Sequence, residues 1–301
     1  MKRAPIITIV TPTYNRGDKL PELFHSLCAQ TCQDFRWLCI DDGSTDNTHD
    51  IVESFKQYLT YNDCGFSVDY IYKENGGKHT ALNIAIKTVA TDLFFVVDSD
   101  DILTPDSVDT ILQDWARVKN CDLCGIGYLR GYDKNNVIGD LYTKDGLEDT
   151  FINERYNRGV DGDKAEVWVT KCLQAAGGFP EHPEERFISE SVLWIKLSRK
   201  RKMLFRNKII YITEYLDGGL SASGRTLRFR CPHLMSYGSL ETMSKEFSWK
   251  IRLKETLLYI VYSKFGHRNL KRILDCPYKK LVFLCYLPGL ALYHYWKKKY
   301  V

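Results

Sequence analysis

The amino-acid sequence predicts an α/β fold, a doubly wound and mixed but mostly parallel sheet followed by a helical extension at the carboxyl end. Three observations predict this fold. Short runs of β-branched or aromatic residues alternate with segments of helical periodicity through the first half of the chain. The run at residues 93–97 is apolar throughout, which is typical of a strand buried on both faces. After residue 224 the patterns are helical.

The order of the elements predicts that the sheet is doubly wound. Strands are predicted at residues 6–11, 35–40, 68–72 and 93–97. Helices are predicted at residues 19–29, from a cap at Ser44 or Thr45 to about residue 59, at residues 80–89, and from Pro105 to about residue 119. Because a helix joins each strand to the next, we expect parallel strands with right-handed crossovers.

The second half of the chain contains more helix. Residues 133–163 are rich in Gly, Asn and Asp, and we expect a loop with a short hairpin that forms a lid beside a binding site. The elements expected after it are a helix at residues 187–199, a strand at 208–215, a linker at 218–224, and helices at 233–247 and 249–264. The chain is therefore expected to divide into a main domain, residues 1–220, and an extension, residues 221–301.

The charge is unevenly distributed along the chain. Residues 225–301 contain 16 Lys and Arg and 4 Asp and Glu, although the net charge of the whole chain is +4. A basic end on an acidic body differs from a nucleic-acid-binding face that spreads over a fold, so we expect no nucleic-acid partner. It indicates that one end of the molecule meets an anionic surface, for which a membrane is the first candidate.

An apolar segment near the carboxyl end, residues 281–296, supports that expectation. Lysines flank it on both sides, and it is shorter than the roughly 18 residues that a spanning helix needs. Pro288-Gly289 is expected to break it. We expect this segment to rest on a membrane surface, and a helix packed on the main domain is the alternative. Single cysteines within apolar runs suit a reducing cytosol, and the expected location is therefore cytoplasmic, peripheral on the inner face of the plasma membrane.

Polar residues follow three of the predicted strands at the edge where open α/β sheets bind their ligands. The first strand ends in Thr11-Pro12-Thr13-Tyr14-Asn15-Arg16, the second in Asp41-Asp42-Gly43-Ser44-Thr45-Asp46, and the fourth in Asp98-Ser99-Asp100-Asp101. The phosphate-binding patterns G-x-x-x-x-G-K-[ST] and G-x-G-x-x-G do not occur in the sequence. P-loop and dinucleotide-binding proteins therefore lose support.

Asp98 and Asp100 are the strongest candidates for chemistry. Two residues apart in an extended segment, their side chains leave on the same side. Such a pair repels unless a cation lies between the carboxylates or both are well solvated, and hard oxygen ligands suit Mg²⁺ or Mn²⁺. The alternative is an acidic turn before Pro105, with Asp100 or Asp101 as a helix cap.

These three motifs, in this order and spacing, resemble the family 2 glycosyltransferases of the GT-A fold. The resemblance is strong over residues 4–130 and looser to about residue 220. It implies a GT-A sheet and an enzyme that transfers a sugar from a nucleotide-diphosphate donor, by family frequency a UDP-sugar, to an acceptor hydroxyl. An acceptor carried on a lipid, as in cell-surface polysaccharide synthesis, is implied by the same analogy.

The resemblance also implies roles for individual residues. The segment Thr11, Pro12, Thr13 and Tyr14 would hold the nucleotide together with Asp42, and Ser99 and Asp100 would face it. Lys78 would pair with the diphosphate; a solvated lysine at a helix start is the alternative. Asp98 and Asp100 would bind the metal ion, with Asp101 as a further ligand.

The family has an acidic pair before an apolar-Trp helix, and its second member acts as the base. Glu190 occupies that position here, while Ser189 replaces the first acidic member. The alternative for Glu190 is a carboxylate favoured by a helix dipole. One base without a second carboxylate nucleophile implies single displacement with inversion. Two rival functions remain. A nucleotidyltransferase would need a Gly- and Arg/Lys-rich loop after the first strand, which this sequence does not have. The other rival is a sugar-nucleotide-binding protein without transferase activity.

Overall fold

The structure is a computed structural model that describes residues 4–213 and 224–300. The proposed domain boundary at residue 220 and the predicted linker, apart from Gly224, lie outside the described residues. In the first half, the strands are β1 (Ile7–Thr13), β2 (Phe35–Asp41), β3 (Ser67–Tyr72), β4 (Leu93–Val96) and β5 (Asp101–Leu103). The helices are α1 (Leu20–Cys28), α2 (Thr48–Tyr61), α3 (Lys78–Thr88) and α4 (Ser107–Val118).

The second half completes the sheet and adds the helical extension. The strands are β6 (Leu123–Gly131), β7 (Leu147–Asp149), β8 (Lys164–Val169) and β9 (Lys202–Thr213), with a π-helix at Ile152–Asn157. The helices are α5 (Thr170–Ala176), α6 (Ser191–Ser198), α7 (Gly224–Arg230), α8 (Pro232–Thr242), α9 (Trp249–Phe265), α10 (Leu270–Leu274) and α11 (Lys279–Tyr300).

The strands form one mixed sheet in the order β3-β2-β1-β4-β8-β6-β9-β5, and β7 pairs with β9. Six strands (β1, β2, β3, β4, β6 and β9) share one direction, whereas β5, β7 and β8 run against it. The prediction of a mixed, mostly parallel sheet is therefore confirmed. The antiparallel β8 separates the parallel strands β4 and β6 and pairs with both of them.

Alternate residues of each strand face two different apolar layers, which is why these strands read as continuous apolar runs. Phe94 and Val96 pack with helices α3, α5, α6 and α8 on one face. Leu93 and Phe95 pack with α1, α2 and α4 on the other. The sheet is thus the middle of three layers, and the carboxyl ends of its parallel strands form one open edge.

Several predicted boundaries are wrong. Neither Ser44 nor Thr45 caps α2, which begins at Thr48 after the cap residue Asn47, because the carboxylate of Asp46 accepts the Thr48 N–H and hydroxyl. The predicted loop at 133–163 contains β7 and the π-helix, and β7 gains its stability by pairing with β9. Such pairing depends on tertiary contact and leaves little trace in local periodicity.

The break expected at Pro288-Gly289 is also absent, because α11 runs unbroken over 22 residues with Pro288 inside it. Gly289 lies on the face that packs against α9. A Cβ atom at Gly289 would come within 2.8 Å of Ile260 Cγ2, so the glycine allows the two helices to approach closely. Close packing on α9, another helix of the extension, therefore supports the unbroken course of α11.

Candidate functional site

The site lies where β1, β2 and β4 end side by side. Thr13 pairs with Asp41 in the parallel register, and Val10 pairs with Val96. The Val97 N–H donates to the carbonyl of Val10, which carries the chain into Asp98 at the same edge. Parallel pairing thus brings together the three polar motifs, as the sequence predicts.

Asp98 is held between two cations. Its Oδ1 lies 2.5 Å from Lys78 Nζ at the start of α3, and its Oδ2 lies 3.7 Å from the Arg130 guanidinium on β6. Burial alone would raise the pKa of Asp98, but Lys78 and Arg130 together lower it below the ordinary value. Asp98 is therefore a carboxylate at neutral pH, with its oxygens directed at the positive groups of the cleft.

Asp101 faces inward. It is buried, its Oδ2 accepts a hydrogen bond of 2.7 Å from the Tyr211 hydroxyl, and Arg130 lies 3.4 Å away. Burial and the neighbouring Asp98 raise the pKa of Asp101 to about 7. The same Tyr211 hydroxyl accepts the N–H of Asp98 at 2.9 Å. Asp101 is thus engaged in positioning Arg130 and Tyr211, a role that the sequence did not predict.

Asp100 is the more open carboxylate. Its side chain is 29% exposed, and its nearest cation is Arg16 at 3.9 Å. Asp98 and Asp100 together offer hard oxygen ligands at the cleft, which fits a divalent cation that keeps water and phosphate oxygens as its other ligands. Lys78 pairs with one of the Asp98 oxygens, so a cation bound there would take the place of its ammonium group. Ser99, between the two carboxylates, is buried.

Lys78 also reaches the candidate base. Its Nζ lies 2.6 Å from Glu190 Oε1, so one ammonium group bridges Glu190 and Asp98. These two carboxylates raise the pKa of Lys78 against the effect of burial, which keeps the amine charged. Glu190 is the residue before α6, it is one quarter exposed, and its carboxylate caps no backbone N–H of that helix.

The end of β1 contributes a buried floor and an exposed tip. Thr11 is fully buried and its hydroxyl accepts the Trp37 indole N–H, and Pro12 is buried beside it. Thr13 is also buried, and its hydroxyl has no hydrogen-bond partner among the described residues. Tyr14 is 49% exposed. Of this segment, the Tyr14 ring is the group exposed to a ligand, whereas the Thr13 hydroxyl is buried and unsatisfied.

Asp42 stabilises the turn that precedes α3 at this edge of the sheet. It is buried, and its carboxylate accepts hydrogen bonds from Lys73 Nζ at 2.6 Å and from the N–H groups of Gly76 and Gly77 at 2.9 and 2.7 Å. These bonds shape the turn that presents Lys78. The structure therefore places Asp42 in the support of the turn, and a direct contact with a nucleotide stays a prediction.

Four side chains near the site were not predicted: Arg130, Tyr211, Lys73 and Glu166. Arg130 lies with its guanidinium 3.9 Å from the centre of the Tyr211 ring. A single arginine within the apolar strand β6 is a signal that the sequence offered. Glu166 on β8 has its pKa raised to about 7, chiefly by burial and also by the charge of Glu190, and Arg155 and Arg130 oppose that shift.

Within the described ranges, one group of three or more His, Cys, Asp or Glu side chains converges closely enough to hold a metal ion: His182, Glu185 and His233. Glu185 is buried, and its carboxylate accepts the N–H groups of His233 and Leu234 at 2.8 and 2.7 Å and the His233 ring nitrogen at 2.7 Å. Those bonds cap the start of α8. We therefore interpret the group as an anchor between α8 and the segment leading to Glu190.

The sequence is similar to known glycosyltransferases. Residues 8–162 match the family described as Glycosyl transferase family 2. Glycosyltransferase GlyG of Streptococcus pneumoniae serotype 4 is 32% identical over 262 residues, which cover 81% of this chain and 80% of that protein. Hyaluronan synthase of Pasteurella multocida is 26% identical over 212 residues, which cover 70% of this chain and 20% of that protein.

Solved structures share the fold at lower identity. S. aureus TarS 1-349 in complex with UDP-GlcNAc has a TM-score of 0.62 at 18% identity, over 86% of this chain and 72% of that one. Mannosyltransferase PcManGT from Pyrobaculum calidifontis, in complex with GDP-Man and Mn²⁺, has a TM-score of 0.57 at 15% identity, over 99% of this chain and 89% of that one. At these identities the likeness establishes the GT-A fold alone.

Proposed function

The chain belongs to glycosyl transferase family 2, and from that premise we propose that this glycosyltransferase moves a sugar from a UDP-sugar to an acceptor hydroxyl with inversion at the anomeric carbon. The observation that carries the proposal is the convergence of Asp98, Asp100, Lys78 and Glu190 at one edge of the sheet. Two neighbours bind nucleotide sugars, UDP-GlcNAc in TarS and GDP-Man in PcManGT. The TarS complex favours UDP here.

Asp98 and Asp100 would hold Mg²⁺ or Mn²⁺. A divalent cation at that position supplies stabilisation of the negative charge that develops on the departing diphosphate. Asp101 is less suited to be a ligand, because Tyr211 and Arg130 already occupy its carboxylate. The exposed Tyr14 and the unsatisfied hydroxyl of Thr13 support a nucleotide position at the end of β1, beside the Asp42 turn and Ser99.

Glu190 is the proposed base. In the structure it shares the Lys78 ammonium group with Asp98, so its Oε1 is already engaged in an ion pair. A donor diphosphate brings negative charge of its own to Lys78. Lys78 then pairs with the diphosphate, and Glu190 is released to remove the proton of the acceptor hydroxyl. General-base catalysis of this kind contributes roughly 10²–10⁴-fold to the rate.

The test is a transfer and donor-hydrolysis assay with UDP-sugars in Mg²⁺ or Mn²⁺. We expect Glu190→Gln to lower kcat about 10²–10⁴-fold while the Kd for UDP-sugar stays near the wild-type value. We expect Asp100→Asn to abolish the metal-dependent part of UDP-sugar binding. Glu184→Gln, an exposed glutamate on the preceding segment, is the matched control.

The same assay separates the rival functions. UDP-sugar binding with neither transfer nor hydrolysis in either metal would assign a binding protein without transferase activity. Formation of a sugar nucleotide from a nucleoside triphosphate and a sugar phosphate would assign a nucleotidyltransferase. Near-normal turnover by Glu190→Gln would remove Glu190 as the base.

We further propose that the acceptor is a lipid-linked saccharide of cell-surface polysaccharide synthesis, and that the enzyme works as a peripheral protein on the inner face of the plasma membrane. The similarity to a polysaccharide synthase and the basic balance of residues 225–301 support this placement. Within residues 4–213 and 224–300, no helix has the length and apolar character to cross a bilayer. Transfer to membrane-extracted acceptor, compared with free sugars, is the test.

A further inference from the structure

Helix α11 is apolar on two opposite faces. Val282, Cys285, Gly289 and Tyr293 are buried against the rest of the extension, and α9 is its main neighbour. A helix packed on one side and facing water on the other normally has a polar outer face. The outer face of α11 departs from that pattern.

Three large apolar side chains stand together on that outer face. Phe283 is 67% exposed, Leu284 is 76% exposed and Leu287 is 75% exposed. They lie at positions i, i+1 and i+4, so they share one patch of the helix surface. Single exposed apolar residues are common, whereas a contiguous patch of this kind marks a surface that another apolar phase covers.

A groove extends the patch toward α10. Its volume is about 500 Å³, and Leu274, Phe283, Leu284, Lys279 and Lys280 line it. The lining is almost wholly apolar, and Lys279 and Lys280 contribute their aliphatic stems to it while carrying ammonium groups at their ends. An amphiphile with an acyl chain and an anionic headgroup matches both parts.

The charge around α11 decides between occupants. Lys279 and Lys280 precede the apolar stretch, and Lys297–Lys299 follow it. A second copy of this chain docking through the same face would bring like charges together, which is unfavourable. An anionic membrane surface neutralises them instead.

We propose that the outer face of α11 and the α10–α11 groove form a docking site for an anionic phospholipid bilayer. Phe283, Leu284 and Leu287 enter the boundary between headgroups and acyl chains, and Lys279 and Lys280 bind lipid phosphates. The helix lies in the plane of the interface, because its other face remains packed on α9. This inference rests on the proposed membrane location, and it names the surface and the lipid chemistry.

The experiment is sedimentation of the full chain with phosphatidylcholine vesicles and with vesicles containing one quarter phosphatidylglycerol. We expect binding to the phosphatidylglycerol vesicles that weakens at 0.5 M NaCl. The double variant Lys279→Gln/Lys280→Gln should bind about 30-fold more weakly. The double variant Phe283→Ser/Leu287→Ser should bind these vesicles at least about tenfold more weakly than the wild type.

Matched controls are Lys87→Gln/Lys119→Gln, which removes two exposed lysines elsewhere, and Tyr61→Ser, which removes a side chain that is 90% exposed. Both should bind as the wild type does. Equal binding by Phe283→Ser/Leu287→Ser and the wild type overturns the proposal. A dimer in light scattering that the same variant disrupts assigns the face to a second copy and also overturns it.

Donor hydrolysis without vesicles keeps this inference separate from the proposed function. The four α11 substitutions lie outside the cleft, and their hydrolysis rates should equal that of the wild type. A chain that binds the vesicles yet hydrolyses no donor keeps the docking site and contradicts the transferase mechanism. A chain that hydrolyses donor yet binds no phosphatidylglycerol vesicles contradicts the docking site and keeps the transferase mechanism.

Discussion

The ammonium nitrogen of Lys78 lies 2.6 Å from Oε1 of Glu190. The same nitrogen lies 2.5 Å from Oδ1 of Asp98, so a single side chain joins the proposed base to the proposed metal site. The bridge is possible because α3 and α6 both begin close to the edge where β4 ends. Any ligand that draws Lys78 away changes both carboxylates together.

Lys78→Gln removes that bridge and the positive charge. We expect donor affinity to fall about tenfold or more, because the diphosphate loses a charge-assisted hydrogen bond in a partly buried site. Titration of UDP-sugar by calorimetry measures the effect, and Lys87→Gln at the exposed end of the same helix is the control. Donor affinity unchanged by Lys78→Gln would show that Lys78 pairs with Asp98 and Glu190 and does not bind the donor.

Arg130→Gln leaves Asp101 buried without its cation. We expect a loss of about 3–5 kcal/mol in the free energy of unfolding, as when one partner of a buried ion pair is removed. Urea denaturation followed by circular dichroism measures it. The double variant Arg130→Gln/Asp101→Asn removes both charges and should recover part of the loss, and a double variant less stable than Arg130→Gln would contradict this account.

Gly77→Ala should distort the turn that presents Lys78. Gly77 has a φ of +93°, and a Cβ atom there would lie 2.1 Å from the carbonyl oxygen of Arg186. We expect the free energy of unfolding to fall by well over the cost of about 1–2 kcal/mol for a left-handed residue alone, because backbone atoms have to move. Gly146→Ala is the control, since Gly146 has a φ of +74° with no atom within 4 Å. Equal melting temperatures for the two variants would refute the steric argument.

Glu166→Gln tests the half-buried carboxylate beside the cleft. Burial raises the pKa of Glu166 from 4.5 to about 7 in the folded chain, so folding is penalised above pH 7 and the penalty disappears below about pH 4.5. Glutamine carries no charge at either pH. The free energy of unfolding of the variant should therefore exceed that of the wild type by about 1–2 kcal/mol at pH 8 and by little at pH 5. These values allow for the partial exposure of Glu166.

Melting curves of both proteins at pH 5 and pH 8 measure this difference. Glu22→Gln on α1 is the control for a glutamate at another helix. A stability gain that is the same at both pH values would show that Glu166 does not carry a raised pKa in the folded protein.

Several boundaries could not be read from the sequence. The strand β7 has only three residues, and its partner β9 lies more than fifty positions later in the chain. The unbroken course of α11 through Pro288 depends on close packing at Gly289 against Ile260. Both features are produced by contacts between distant segments, which local periodicity does not contain.

The sequence by itself determined the sheet from β1 to β4 and the polar motifs at its carboxyl edge, because apolar runs and helical spacing are local properties and parallel pairing aligns the strand ends. The tertiary structure decided which charges meet there. Arg130 comes from β6, Tyr211 from β9 and Glu190 from the start of α6, and only folding brings them within reach of Asp98 and Lys78. Electrostatic pairing acts through space over a few ångströms, so it is set by packing.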